Sequence, residues 1–245
     1  MVQASVKSDI IRQLQRDVLS MQGSDTPVLG MKQLMGLGPV EQAFPNKVFP
    51  VGAVHEFIST GMEDATATNG FIAGVLNPLM QGGGMCLWVG TERTIYPPAL
   101  RFFGITPDRV IFVDAGRPKE ALWIIEEGLK CTSLTAVVGE LRELGFTESR
   151  RLQLAVEQSR VTGFIHRYRP RAENTVACVT RWKIRSMASV TEQGMPGVGA
   201  PRWNVNLLKV RNGKPGSWQV EWGDTGFRFL SRPAQTDGAQ MLKTG

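Results

Sequence analysis

Val51-Gly52-Ala53-Val54-His55-Glu56-Phe57-Ile58 runs straight into Ser59-Thr60-Gly61-Met62-Glu63-Asp64-Ala65-Thr66-Ala67-Thr68-Asn69-Gly70. The first part is mostly apolar, as a buried strand is. The second part is small and polar, as a loop that opens a helix is. In an α/β protein this strand–loop–helix order marks the place where phosphate is cradled by backbone amides and a helix N-terminus. The loop expected over Ser59 to Gly70 holds no Lys or Arg, and Glu63 and Asp64 put negative charge where phosphate charge would arrive.

Short apolar runs recur on either side. Met85 to Val89, Arg109 to Val113, Leu134 to Val138 and Val161 to His166 read as further strands. They lack clean alternation, as strands covered on both faces of a parallel sheet do. Helical stretches lie between them: Ala67 to Met80, a short one at Pro98 to Phe103, Lys119 to Cys131 and Thr147 to Arg160. Alternating strand and helix predict an α/β fold, a mostly parallel twisted sheet with helices on both faces. After residue 170 the pattern changes. Thr175 to Val179, Arg181 to Ser186, Trp203 to Val210, Ser217 to Trp222 and Phe227 to Leu230 have strand character, and Asn212-Gly213 is a hairpin signal. The expected domains are a helical arm over 1–23, an irregular linker over 24–50, a core over 51–230 with a hairpin at about 203–222, and a loose tail over 231–245. In the arm Ile10, Ile11, Leu14 and Val18 recur at helical spacing. That stripe packs on its own domain or on a partner.

The chain has 245 residues, 42% hydrophobic and 20% charged, which is a globular composition. No apolar run reaches the roughly 20 residues that cross a bilayer. The polar N-terminus lacks the apolar centre of a signal peptide, so a cytoplasmic protein without membrane contact is expected. Cys86, Cys131 and Cys178 are odd in number and widely spaced, so neither a disulfide framework nor structural zinc is expected. No metal site is expected at all. The net charge of +6 allows an acidic partner such as nucleic acid.

The run Gly36-Leu-Gly-Pro-Val-Glu-Gln-Ala-Phe-Pro-Asn-Lys-Val-Phe-Pro-Val-Gly-Ala-Val-His-Glu-Phe57 resembles the opening of a RecA-type core. Together with Pro201-Arg-Trp-Asn-Val-Asn-Leu-Leu and Pro215-Gly-Ser-Trp-Gln-Val-Glu-Trp222 it is similar to the ImuA family of SOS-inducible mutagenesis proteins. The resemblance covers roughly residues 30 to 230. It implies a RecA-like fold and a role in error-prone translesion synthesis. The implied partners are an ImuB-like Y-family protein, RecA and an error-prone DNA polymerase, with single-stranded DNA as a further one.

Departures from the RecA pattern imply a protein that is not an enzyme and takes no cofactor, ATP included. The phosphate loop Ser59, Thr60, Gly61, Glu63, Asp64, Thr66, Thr68, Asn69 and Gly70 lacks its lysine. Gly139 stands at the Walker B aspartate position, with Glu140 one step on. Arg167 or a neighbour stands near the sensor place. Glu92 matches the water-activating glutamate, yet without a phosphate cradle it is expected to be structural. Both DNA loops are shorter than in RecA. The basic residues Arg167, Arg169 and Arg171 around Tyr168, followed by Arg181, Lys183 and Arg185, would suit a single strand. The bland reading makes them a solvated sheet face with Trp182 buried behind it.

His55 and His166 lie in apolar runs and are expected as hydrogen-bonded core residues. Glu126, Glu127, Glu140 and Glu143 are expected to be solvated, and the tryptophans at 182, 203, 218 and 222 to fill space. No Ser/His/Asp set stands out. Two rival readings remain: a SulA-like inhibitor of cell division, and a RecA-like ATP- or single-strand-binding protein with a degenerate loop.

Overall fold

The computed structural model describes residues 35–91, 94–191 and 197–231. The arm residues Ile10, Ile11, Leu14 and Val18, Glu92, and the tail from 232 lie outside them. Nine strands form one sheet in the order β3-β2-β4-β5-β1-β6-β7-β8-β9. They are β1 (Val54–Ser59), β2 (Cys86–Gly90), β3 (Val110–Asp114), β4 (Ala136–Leu141), β5 (Thr162–Tyr168), β6 (Thr180–Met187), β7 (Arg202–Val210), β8 (Gly216–Gly223) and β9 (Gly226–Ser231). The ladders from β3 to β6 are parallel and those from β6 to β9 antiparallel. This is the mostly parallel α/β sheet with an antiparallel C-terminal extension that the apolar runs predict.

The helices are α1 (Met62–Met80), α2 (Pro118–Lys130) and α3 (Phe146–Ser159). α2 and α3 cover one face through Ile125, Leu129, Leu152 and Val156, packed on Val137 and Ile165. α1 covers the other through Phe71, Ile72, Val75 and Leu76, with Phe57, Phe164 and Trp182. Every residue from Phe71 to Leu76 is buried, which spans all sides of a helix. A helix apolar all round must be enclosed. The extension curls round to enclose it: a Cβ on Gly70 would stand 3.0 Å from Trp203, and one on Gly74 would stand 2.6 Å from Phe227 and 2.8 Å from Trp222. Bulges at Arg181/Trp182 and Gln219/Val220 interrupt the ladders and increase local bend and twist.

Three expectations need correction. Over its described part the 24–50 stretch is no linker. Met35, Leu37, Val40, Phe44 and Phe49 are at most 4% exposed and belong to the α1-side core, carried on short 3-10 turns. Thr175 to Val179 is not a strand. Its apolar side chains insert into the opposite core, and its backbone is satisfied by side chains: Ala177 N–H donates to Ser149 Oγ, while Lys209 Nζ and Arg211 Nη2 donate to Val176 and Ala177 carbonyls. Finally, α1 begins at Met62 and not near Ala67. Gly61 supplies the N-cap, and Glu63 and Asp64 stand in the first turn, where the helix dipole favours acids. No helix among the described residues is long and apolar enough to cross a membrane.

Candidate functional site

The C-terminal ends of β4, β5 and β1 meet α1 where a parallel sheet presents its ligand crevice. Here the connection from β1 to α1 is only Thr60 and Gly61, since β1 ends at Ser59 and α1 starts at Met62. The expected loop from Ser59 to Gly70 is therefore mostly helix. Its polar side chains are spent locally. Thr66 Oγ1 donates to Met62 O at 3.0 Å and Thr68 Oγ1 to Asp64 O at 2.7 Å. Asp64 Oδ1 accepts Ser186 N–H at 3.1 Å, and Thr60 O accepts from Arg169 Nε at 3.1 Å.

Below the turn runs a chain of hydrogen bonds, buried except at Thr94. Ser59 Oγ meets His166 Nε2 at 2.6 Å, and His166 Nδ1 meets Asn69 Oδ1 at 2.9 Å. Asn69 Nδ2 donates to Thr94 Oγ1 at 2.9 Å, and Thr94 Oγ1 donates to Glu140 Oε2 at 2.7 Å. Trp88 Nε1 donates to Glu140 Oε1 at 2.7 Å. The direction of every bond follows from the carboxylate. Because Glu140 only accepts, Thr94 must donate to it and accept from the Asn69 amide. The Asn69 carbonyl then takes the His166 Nδ1 proton, which leaves Nε2 to accept from Ser59. Burial holds His166 neutral, its pKa lowered to about 4. Burial also pushes the Glu140 carboxyl above its ordinary range, opposed by the bonds from Thr94 and Trp88. Ser59, His166 and Asn69 have the order of bonds found in a nucleophilic triad, yet Ser59 is 3% exposed and lies within the strand. Its hydroxyl is already held by His166 in the chain of bonds.

Alternation along β4 puts Glu140 on the α1 face and Gly139 on the other. A Cβ on Gly139 would meet Ile125 Cδ1 at 2.3 Å, so α2 leaves no room for an aspartate there. Glu140 is 8% exposed and was not expected to be buried; the same holds for Glu126, which pairs with Arg151 and Lys130.

The basic residues separate into two sets. Arg167 is 0% exposed and donates from Nη1 to Glu56 Oε1 at 2.7 Å and from Nη2 to Ala172 O at 3.0 Å. Arg181 donates to Glu56 Oε2 at 2.5 Å and to Asn174 O at 2.5 Å. Glu56 is thus clamped by two guanidiniums, and they strap the 169–179 connection to the sheet. This overturns Arg167 as a surface contact for DNA. Among the described residues Arg167 Nε and the Tyr168 hydroxyl have no hydrogen-bond partner. Lys183 pairs with Glu173 at 2.5 Å. Arg169, Arg171 and Arg185 are exposed, and the Arg169 guanidinium lies 5.0 Å over the Tyr168 ring. Trp182 and Ile184 are buried behind Arg181, Lys183 and Arg185, as the alternation predicts. A cleft of about 150 Å³ opens beside the turn, lined by Ser59, Thr60, Asp64, Lys183 and Arg185 among others.

His55 stacks on Phe49 at 4.4 Å and bonds Pro50 O and Thr180 Oγ1, a core histidine as expected. Thr94 and Trp88 are site residues that sequence reasoning missed, and no local spacing marks them. His166 and Glu140 carried a signal: each is a polar group inside a mostly apolar strand, which demands a partner.

No family model matches the chain. Among solved structures the RadB recombinase covers 81% of this chain and 100% of its own, with a TM-score of 0.55 and 14% identity, a likeness of fold alone. Among curated proteins, Protein ImuA from two strains of Caulobacter vibrioides is 32% identical over an alignment of 231 residues that covers 87% of this chain and 93% of the relative. With identity at that level over nearly the full length of both chains, this protein belongs to the ImuA family.

Proposed function

We propose that this chain is a non-catalytic RecA-like adaptor in SOS-induced, error-prone translesion synthesis. It binds an ImuB-like Y-family protein, RecA and an error-prone DNA polymerase in the cytoplasm, and it works without ATP or metal. One observation carries the non-catalytic part: the β1–α1 connection is two residues long. A phosphate loop wraps a triphosphate with a run of successive amides plus a lysine, and Mg²⁺ needs a free Ser or Thr hydroxyl. Two residues supply no such run, neither of them is a lysine, and the nearby hydroxyls of Ser59, Thr66 and Thr68 are already engaged. What the chain keeps is the RecA-like frame, whose outer surfaces are free to bind proteins.

Calorimetry with Mg-ATP, with and without single-stranded DNA, tests this. No heat of binding is expected; tight, Mg²⁺-dependent binding would sink the reading. The partner half is tested by pull-down from DNA-damaged cells, which should return the ImuB-like protein, RecA or the polymerase. A second reading, direct contact with single-stranded DNA, rests on exposed Arg169, Arg171 and Arg185. It predicts salt-dependent binding that falls when these three become Ala.

A further inference from the structure

Between β2 and β3 the chain runs through a 3-10 helix, Pro97–Phe103, that closes on Gly104 at φ 77°. Such a helix has about 3 residues per turn, so side chains three apart eclipse. The burial follows that period. Leu100 is 1% exposed, with Pro97 and Phe103 partly buried on the same inner row. The outer row is Tyr96, Ala99 and Phe102; Tyr96 is 70% exposed and Phe102 58%. At a rise of about 2 Å per residue the two rings stand roughly 12 Å apart, with the small Ala99 as a notch between them. Arg101 is exposed beside them, is the single charged residue between Thr94 and Pro107, and has no ion pair among the described residues.

The segment is fixed at both ends. At its start Thr94 is tied to Asn69 and Glu140 in the chain of hydrogen bonds. At its end Trp222 Nε1 donates to Phe102 O at 3.1 Å, and the Phe103 ring lies 5.1 Å from Trp222. The Tyr96 side chain is 70% exposed, and among the described residues it has no ring–ring pair or side-chain hydrogen bond. Exposed aromatics and arginine on a rigid support have the composition of a binding hot spot, and rigidity lowers the ordering cost of association.

We propose that the outer row Tyr96–Ala99–Phe102, with Arg101 beside it, is a preformed docking edge for a protein partner that offers an apolar recess rimmed by carboxylates. The charge decides the occupant. A nucleic-acid strand needs a row of cations along its phosphates, and the described segment between Thr94 and Pro107 carries one. A single unpaired arginine between two rings suits one acidic group at the rim of an apolar pocket. The proposal rests on the adaptor reading and gives it a surface.

The test uses the purified full chain and its Tyr96→Ala, Phe102→Ala and Arg101→Glu variants. Exposed Leu154 on α3, changed to Ala, is the control. Binding is measured to an ImuB-like protein from the same genome, to RecA, and to a thymidine oligonucleotide. Either aromatic change is expected to weaken binding to one of the two proteins by about tenfold or more. Arg101→Glu should weaken the same partner most at low salt, with melting temperatures and the Leu154→Ala control unchanged. Wild-type affinity for both proteins in the Tyr96/Phe102 double variant overturns the docking edge and leaves the adaptor reading standing. A loss confined to the oligonucleotide overturns it in favour of nucleic acid. If the wild-type chain binds neither protein, the docking edge fails together with the RecA and ImuB-like part of the adaptor reading.

Discussion

Changing Glu56 to Gln should cost more stability than a typical surface substitution, because this buried carboxylate lies within 3 Å of two guanidiniums. Both Glu56 and Arg167 have side chains with 0% exposure, and Arg181 has 15%. Gln keeps the shape and one carbonyl acceptor but removes the charge. Arg167 then retains Ala172 O at 3.0 Å and the half-exposed Glu143 at 3.7 Å, so its charge stays buried and poorly compensated. Removing one partner of a buried ion pair costs about 3–5 kcal/mol; the acceptor that Gln retains argues for about 3. For a chain of this size each kcal/mol lowers the melting temperature by about 2–4 °C, so a drop of roughly 6–12 °C is expected. Thermal unfolding followed by circular dichroism reads it. Removing the stranded charge as well, in Glu56→Gln with Arg167→Met, should recover about 2 kcal/mol or more of the sum of the single losses. A single variant that melts with the wild type refutes the clamp. So does a double variant whose loss equals the sum.

Two further outcomes follow from the core. Gly74→Val should destabilise by about 2 kcal/mol, since its first carbon would lie 2.6 Å from Phe227 and overpacking costs about 1–3 kcal/mol, offset only by the few tenths that Val gains over Gly as a helix former. Wild-type stability in denaturant would mean that the extension does not close over α1. Burial lowers the pKa of both His55 and His166 to about 4, so both stay neutral in the fold while the unfolded chain takes up protons below about 6.5. Stability is therefore full above about pH 6.5 and lost as pH falls towards 4, at about 1.4 kcal/mol per pH unit for each histidine. The raised Glu140 carboxyl works in the opposite sense, since its protonation on acidification relieves a burial cost. Urea midpoints at pH 7 and pH 5 measure the balance, and a flat profile would refute the neutral, buried histidines.

The parallel strands and both outer helices were legible because their apolar runs are long and their turns carry Gly or Pro. The start of α1 was not. Glu63, Asp64, Thr66 and Thr68 look like loop residues, but two threonines satisfy their hydroxyls on the helix's own carbonyls and both acids suit its first turn. Residues 35–50 looked like a linker because burial there follows no period. Arg167 looked like a DNA contact because its partner, Glu56, is 111 positions away. The lone charges at Glu56 and Arg167, each inside an apolar strand, were the available sign that they pair. The Ser59–His166–Asn69–Thr94–Glu140 chain draws on β1, β5, α1, the segment after β2, and β4, so no local spacing exposes it.

The length of one turn separates two ways in which a phosphate site can be lost. A loop that keeps its amides and loses only its lysine could be restored by a single substitution. Here a lysine at Glu63 or Asp64 would stand in the first turn of α1, with no wide loop beside it to hold a triphosphate. The space below is occupied by hydrogen bonds that satisfy one another in a single consistent direction, ending on a buried carboxylate. Opening that space would strand His166, Asn69 and Glu140 without partners, at about 1–3 kcal/mol for each neutral group and more for the charge. Those same bonds hold the segment that displays Tyr96 and Phe102. In this chain the bonds that fill the space below the turn also fix the surface proposed for a partner, so loosening Glu140 should weaken docking.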